Sequence, residues 1–226
     1  MNYMLGCGYH EGSQYDYEFS RRWVRNVERF ASPAPAAIVT LSTEGPPYAF
    51  VKGPAAQNLS CNHNLGHVGH LLSGEKNNQL CGWSASFLAL GMLAYNMGLD
   101  FCFQEQDCLA FGPYVERMYQ DMGDASMVFG AKMKGPPWMA SAQSLVLVRH
   151  SYILTMIRNY IDQGWDRREC LPEDKFAMLE SMDPGKVRRL SFGYDRERPI
   201  NFDAPVWYAQ KLTAEELKEL HRRGLL

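Results

Sequence analysis

Hydrophobic positions along the chain fall into blocks whose spacing alternates between strand and helix. Tyr3 to Cys7 is a short apolar run that stops at Gly6-Cys7-Gly8 and reads as a strand. Phe19, Trp23, Val27 and Phe30 then recur at intervals of three and four, while Arg21, Arg22, Arg25 and Arg29 fall mostly on the opposite face. This pattern predicts a helix over 17–30, stopped at Ser32-Pro33-Ala34-Pro35. Ala36 to Leu41 is continuously apolar, as a strand covered on both faces is, and gives way to turn residues at Ser42-Thr43-Glu44-Gly45-Pro46-Pro47. Strand, helix and strand in this order form a βαβ unit, which implies a parallel sheet with a right-handed crossover.

Beyond a polar stretch over 57–82, read as an edge strand and a long loop, the blocks resume. Ser84 to Met97 is apolar almost all round, the mark of a buried helix, with Ser84 as its N-cap and Gly98 as its stop. Leu99 to Phe103 reads as a strand leading into Gln104-Glu105-Gln106-Asp107. A helix follows Gly112-Pro113, with the proline in its first turn and Val115, Met118, Tyr119 and Met122 on its apolar face. Ser126–Phe129 and Ala142–Val148 read as strands. His150–Asp162 reads as a helix with Ile153, Ile157, Tyr160 and Ile161 inward. After Leu171-Pro172-Glu173-Asp174-Lys175-Phe176 comes an arginine-rich loop, and then a closing helix opened by Thr213 and Glu216 as a capping box. With no repeat and no linker, residues 1–226 form a single α/β domain: a mostly parallel central sheet flanked by helices.

Composition narrows the function. Hydrophobic residues make up 46% of the 226, too many for a disordered chain, and a formal net charge of −2 offers no basic footprint for nucleic acid or a membrane surface. The six cysteines include no C-x-x-C pair, so they read as reduced thiols rather than a zinc or redox site. Neither a signal peptide nor a transmembrane segment is expected, which makes the chain cytoplasmic in this reading.

Chemistry concentrates where the 99–103 strand ends. Ligands of open α/β sheets bind at the carboxyl ends of the strands. Residues two apart in an extended segment point the same way, so Glu105 and Asp107 present two carboxylates to one point. Side by side they repel and lose hydration, and a divalent cation, Mn2+ or Mg2+, removes both penalties while bridging to substrate phosphates. A solvated loop is the competing reading of the same three residues. The glycine-rich phosphate loops of dinucleotide enzymes are absent.

With Glu105-Gln106-Asp107 placed after a buried helix and strand, the chain resembles the nucleotide-sugar-dependent glycosyltransferases of the GT-A fold over residues 2 to 150. Those enzymes carry an Asp-x-Asp motif at this point, and here Glu105 replaces the first Asp. Asn64-Leu65-Gly66 looks like the Asn-x-Gly segment that many of them place near the donor. The resemblance implies a metal held by Glu105 and Asp107, and a donor touched by Gly6, Cys7, Tyr9, Ser42, Glu44, Asn64, Gly66 and Gln106. It also implies an acid, well after the metal motif and near the start of a helix, that activates an acceptor hydroxyl. Asp174, with Glu173 close behind, fits that place. Acids are also favoured by the dipole at any helix N-terminus.

Other residues carry two readings each. Trp83, and Trp138 in its rigid Gly-Pro-Pro loop, are expected to stack on a sugar or to pack in the core. His150 is a third metal ligand or a structural residue at a strand end. His63, His67 and His70 are spaced four and three apart, as zinc ligands on a helix could be, but Gly66 and Gly69 interrupt the segment and no H-E-x-x-H pattern is present; they read as a loop near phosphates or sugar hydroxyls, or as surface. Arg188, Arg189, Arg196 and Arg198 clamp a diphosphate or pair with nearby acids.

The expected activity is therefore transfer of a sugar from a nucleoside-diphosphate sugar to a glycan, lipid-linked or protein acceptor. Two alternatives stay open. One is a sugar nucleotidyltransferase of similar fold, opposed by the absence of Lys or Arg before Arg21. The other is a non-catalytic carbohydrate-binding module.

Overall fold

A computed structural model describes residues 1–9, 14–42, 56–60, 82–130, 142–162, 172–194 and 198–226. In chain order the elements are β1 (Tyr3–Tyr9), α1 (Gln14–Phe30), β2 (Ala37–Ser42), β3 (Ala56–Ser60), α2 (Gly82–Asn96), β4 (Asp100–Gln104), β5 (Cys108–Phe111) and α3 (Tyr114–Met122). They continue with β6 (Met127–Gly130), β7 (Ala142–Val148), a single 3-10 turn, α4 (Ile153–Asp162), α5 (Pro172–Met182), β8 (Val187–Arg189), β9 (Trp207–Gln210) and α6 (Ala214–Arg222).

Among the described residues seven strands form one sheet in the order β3-β2-β1-β4-β7-β6-β8. β1 lies parallel to both β2 and β4, and β7 is the one strand antiparallel to its neighbours β4 and β6. The expected mostly parallel sheet is present. α1 and α3 cover one face, where Tyr3, Leu5, Cys7 and Tyr9 of β1 meet Trp23, Val27 and Met118. α2, α4 and α5 cover the other, through Phe87, Leu90, Ile153, Tyr160, Phe176 and Leu179. Alternation along β1 and β4 splits their side chains between these two layers, as the period of a strand requires.

Several local rules act as expected. Trp23 and Val27 are buried on α1, as are all four expected apolar residues of α3. Ile153, Ile157 and Tyr160 of α4 turn inward, joined by Met156, which the expectation omitted. Gly98 stops α2, with its own N–H bonding Tyr95 and that of Leu99 bonding Ala94, a Schellman closure. Other details differ. Ser84 lies inside α2 and shares a hydrogen bond with the Tyr160 hydroxyl instead of capping the helix. α2 is not enclosed all round, because Ala89, Met92 and Asn96 form an exposed stripe. Pro113 occupies the N-cap of α3 rather than its first turn.

β5 and β9 pair as a separate antiparallel ribbon, Cys108 opposite Gln210 and Phe111 opposite Trp207. One side of the ribbon turns Cys108, Ala110 and Tyr208 toward the α1 layer. The other turns Leu109, Phe111, Trp207 and Ala209 toward Leu220 of α6, making a third small core. The Phe111 and Trp207 rings stack there with centroids 4.1 Å apart. The capping box of α6 is complete: the Glu216 N–H donates to Thr213 Oγ1 at 3.2 Å, and the Thr213 N–H to Glu216 Oε2 at 2.8 Å. Thr213→Ala is expected to cost about 1 kcal/mol of stability, read as a lowered urea midpoint with unchanged slope.

Among the described residues no helix is long and apolar enough to cross a membrane. Cys7, Cys102 and Cys108 are buried.

Candidate functional site

Connections from β1 run outward through β2 to β3, whereas β4 lies on the other side of β1. The strand order therefore reverses between β1 and β4, and the carboxyl ends at such a reversal are where open α/β sheets bind ligands. The register puts Tyr9, at the end of β1, beside Ser42 at the end of β2. Leu5 pairs with Cys102 and Gly6 with Phe103, so β4 reaches the same rim just before Glu105.

Glu105 to Cys108 is a turn, closed by the Cys108 N–H donating to the Glu105 carbonyl at 3.0 Å. The two acids converge, but not for the expected reason. They are not alternate residues of an extended strand. A turn swings Asp107 round, and the β5–β9 ribbon brings a third side chain against both: Gln210 Nε2 donates to Glu105 Oε2 and, at 2.9 Å, to Asp107 Oδ1. Glu105 and Gln210 are buried and Asp107 half-buried. The Glu105 N–H is itself tied to the Ser144 carbonyl of β7 at 2.9 Å. Gln106 turns outward to Ser20 of α1, its Nε2 3.2 Å from the hydroxyl. Arg22, Gln106, Asp107, Leu109, Leu212 and Leu217 line a small hollow beside the turn.

The acids are felt at β1. Burial pushes the Cys7 thiol well up from its ordinary range, and the charges of Glu105 and Asp107 push it further, so Cys7 is a neutral thiol beside the pair.

No family model matches the chain, and no curated protein sequence does. Solved structures do match. The galactosyltransferase LgtC, in a complex with donor and acceptor sugar analogs, aligns at a TM-score of 0.59 and 12% identity, covering 94% of this chain and 88% of that one. A glycosyltransferase involved in glycosylation of the major capsid of PBCV-1 aligns at 0.55 and 7% identity, covering 99% and 100%. Mouse xyloside xylosyltransferase 1 aligns at 0.53 and 9% identity, covering 96% and 99%.

The chain has the GT-A glycosyltransferase fold.

Within this GT-A fold the expected site residues separate into groups. Cys7, Tyr9, Ser42, Glu105, Gln106 and Asp107 lie along the carboxyl rim. Asp174 is half-buried in the first turn of α5, which descends from that rim to the start of β8; Glu173 shares the turn. Trp83 opens α2 at the same level. Its ring is core material, stacked on Phe87 at 5.0 Å and edge-on to Phe103 and Phe176, which favours the packing reading over sugar stacking.

A Cβ on Gly6 would meet the Phe101 ring at 2.9 Å and Leu90 at 3.3 Å, so the residue is small to let α2 close on the sheet. One assignment is corrected by geometry. His150 lies at the amino end of β4, where its N–H donates to Asp100 Oδ1 at 2.7 Å and its ring stacks on Tyr95. Five residues of strand rise, about 16 Å, separate Asp100 from Glu105, so His150 cannot join the acid pair as a metal ligand. Arg189 pairs with Glu180, and Arg198 with Glu216, in line with the pairing reading. Glu44, Asn64, Gly66, the histidines at 63, 67 and 70, Trp138 and Arg196 lie outside the described residues.

Gln210 was not foreseen. The signal available was a polar residue ending the aromatic run Trp207-Tyr208-Ala209. That run sits in a stretch read as loop, so it drew no strand assignment.

Among the described residues no group of three or more His, Cys, Asp or Glu surrounds one point. What the rim offers a cation is two carboxylates and a carboxamide meeting at one atom's distance. All three side chains carry hard oxygen donors, because the amide that now presents its nitrogen bears an oxygen on the same carbon. This set suits Mn2+ or Mg2+, not a soft metal.

Proposed function

We propose that this chain is a metal-dependent glycosyltransferase that moves a sugar from a nucleoside-diphosphate sugar to an acceptor hydroxyl of a glycan, a lipid-linked sugar or a protein. The observation that carries the reading is the meeting of Glu105, Asp107 and Gln210 at the switch point of a GT-A sheet. The matched glycosyltransferase structures, LgtC with its donor and acceptor sugar analogs among them, support the same class of chemistry.

Glu105, Asp107 and Gln210 would hold the cation, which neutralises charge on the departing diphosphate when bound. The protein's own contribution is placement. The turn at 105–108, closed by its backbone bond and tied to β7, fixes both carboxylates before a donor arrives. Tyr9 and Ser42 offer a phenol and a hydroxyl along the rim to the nucleoside half of the donor. Asp174, or Glu173 beside it, accepts the proton of the attacking hydroxyl.

A panel of nucleoside-diphosphate sugars with Mn2+, read by release of nucleoside diphosphate with and without acceptors, tests this. Release with one donor, lost on adding a chelator and restored by Mn2+, is the expected result. Thermal stabilisation by a sugar without turnover would favour a carbohydrate-binding module, and formation of a nucleotide sugar from sugar phosphate and nucleotide would favour a nucleotidyltransferase. Either result rejects the proposal.

A further inference from the structure

Behind the acid turn lies a polar cluster that the proposed chemistry does not use. Gln104, the last residue of β4, has no exposed surface and immediately precedes Glu105. Its Nε2 donates to the Cys108 carbonyl at 2.9 Å and to Asn26 Oδ1 at 3.2 Å. Its Oε1 accepts from the Tyr114 hydroxyl at 2.8 Å. Asn26, on α1, grips the free edge of β5: Nδ2 donates to the Ala110 carbonyl at 2.8 Å, and Oδ1 accepts from the Ala110 N–H at 2.9 Å.

This arrangement has one solution. The Cys108 carbonyl requires a donor, so the Gln104 amide must turn its nitrogen toward Cys108 and its oxygen toward Tyr114. Both amide hydrogens and the amide oxygen are then used. Burial pushes the Tyr114 phenol well up from its ordinary range, which keeps it a hydroxyl able to donate. The residues flanking the acids are thereby held from behind. Gln104 grips Cys108, the far end of the turn, and Asn26 grips Ala110, two residues further along the ribbon strand that faces Gln210. An amide with one bond missing in a buried cluster is free to turn, and the turn it braces loosens with it.

We infer that Gln104 and Tyr114 are positioning residues for the Glu105–Asp107 pair, setting its affinity for a divalent cation without touching the cation. The inference rests on reading that pair as the cation site. It is distinct from stability, because a buried hydrogen bond of the same kind elsewhere has no route to the acids.

The test compares three variants of the full chain by Mn2+ titration, following the electron spin resonance signal of free ion, and by thermal unfolding. Tyr114→Phe removes one hydroxyl and leaves Gln104 Oε1 without its donor. Gln104→Met removes the whole amide at similar length. Tyr152→Phe is the matched control: it removes the hydroxyl that donates to Asp183 at 2.9 Å, at the far edge of the sheet. Tyr114→Phe is expected to weaken Mn2+ binding about tenfold, and Gln104→Met more, as losses behind a metal's ligands do. Tyr152→Phe is expected to bind Mn2+ like the wild type while unfolding a few degrees lower. Equal Mn2+ affinity in wild type and Tyr114→Phe overturns the inference and leaves the cation site standing. An equal loss in Tyr152→Phe overturns it as well, by showing that general loosening suffices. A wild-type chain that does not bind Mn2+ overturns the reading of the acid pair itself. Should Gln104→Met fail to fold, Tyr114→Phe decides alone.

Discussion

Asp107→Ala is expected to abolish metal-dependent release of nucleoside diphosphate while leaving the fold in place. The carboxylate is half-buried on a turn, outside all three hydrophobic clusters, and the turn-closing bond runs between the backbones of Glu105 and Cys108. Gln210 keeps its bond to Glu105 when Asp107 is gone. The stability change should therefore stay within about 1 kcal/mol, the ordinary range for loss of one side-chain hydrogen bond. Losing a carboxylate from the cation set removes several kcal/mol of charge stabilisation, and about 4 kcal/mol is roughly three orders of magnitude in rate. Steady-state kinetics with the active donor, beside a urea melt, measures both. Turnover near the wild-type rate in a folded Asp107→Ala protein would remove the acid pair from the mechanism.

Gly112→Ala is expected to give a large loss of stability for so conservative a change. Gly112 sits at φ +72° between β5 and α3, a conformation that an L side chain adopts only at a cost. A Cβ there would lie 2.0 Å from the Pro205 carbonyl oxygen, which is backbone and cannot rotate aside. Pro205 leads into β9, so relief requires the two ends of the ribbon to part. Conformational strain and overpacking together come to about 3 kcal/mol, or roughly 10 °C in a chain of this size. Differential scanning calorimetry measures the shift directly, and a midpoint within a degree of the wild type would contradict the close approach.

The helices were legible because their signals are local. Thr213 and Glu216 announce a capping box whose parts are three residues apart, and the spacing of Trp23 and Val27 gives the buried face of α1 directly. β4 and the acids after it were legible for a similar reason: an apolar run that ends abruptly in charge marks a sheet rim. The ribbon was not legible. β5 and β9 are four residues each, and each gains its register only from the other. Without the ribbon, Glu105-Gln106-Asp107 reads as an extended segment. The structure makes it a turn, and the convergence of the acids then depends on Gln210. His150 failed in the opposite way. It follows an apolar strand just as Glu105 does, but β7 runs antiparallel to β4, so its end lies at the amino edge. Strand direction is a property of pairing, and no residue type near His150 encodes it.

Glu105 and Gln210 stand 105 positions apart in the chain. During synthesis the acids leave the ribosome long before the amide that bridges them, and the sheet around β1, β2 and β4 has every partner it needs in the interval. Closure of so long a loop is slow relative to local folding. The corner holding both carboxylates therefore assembles after the sheet that it borders, and a nascent chain would gain its proposed activity only once β9 is free to dock.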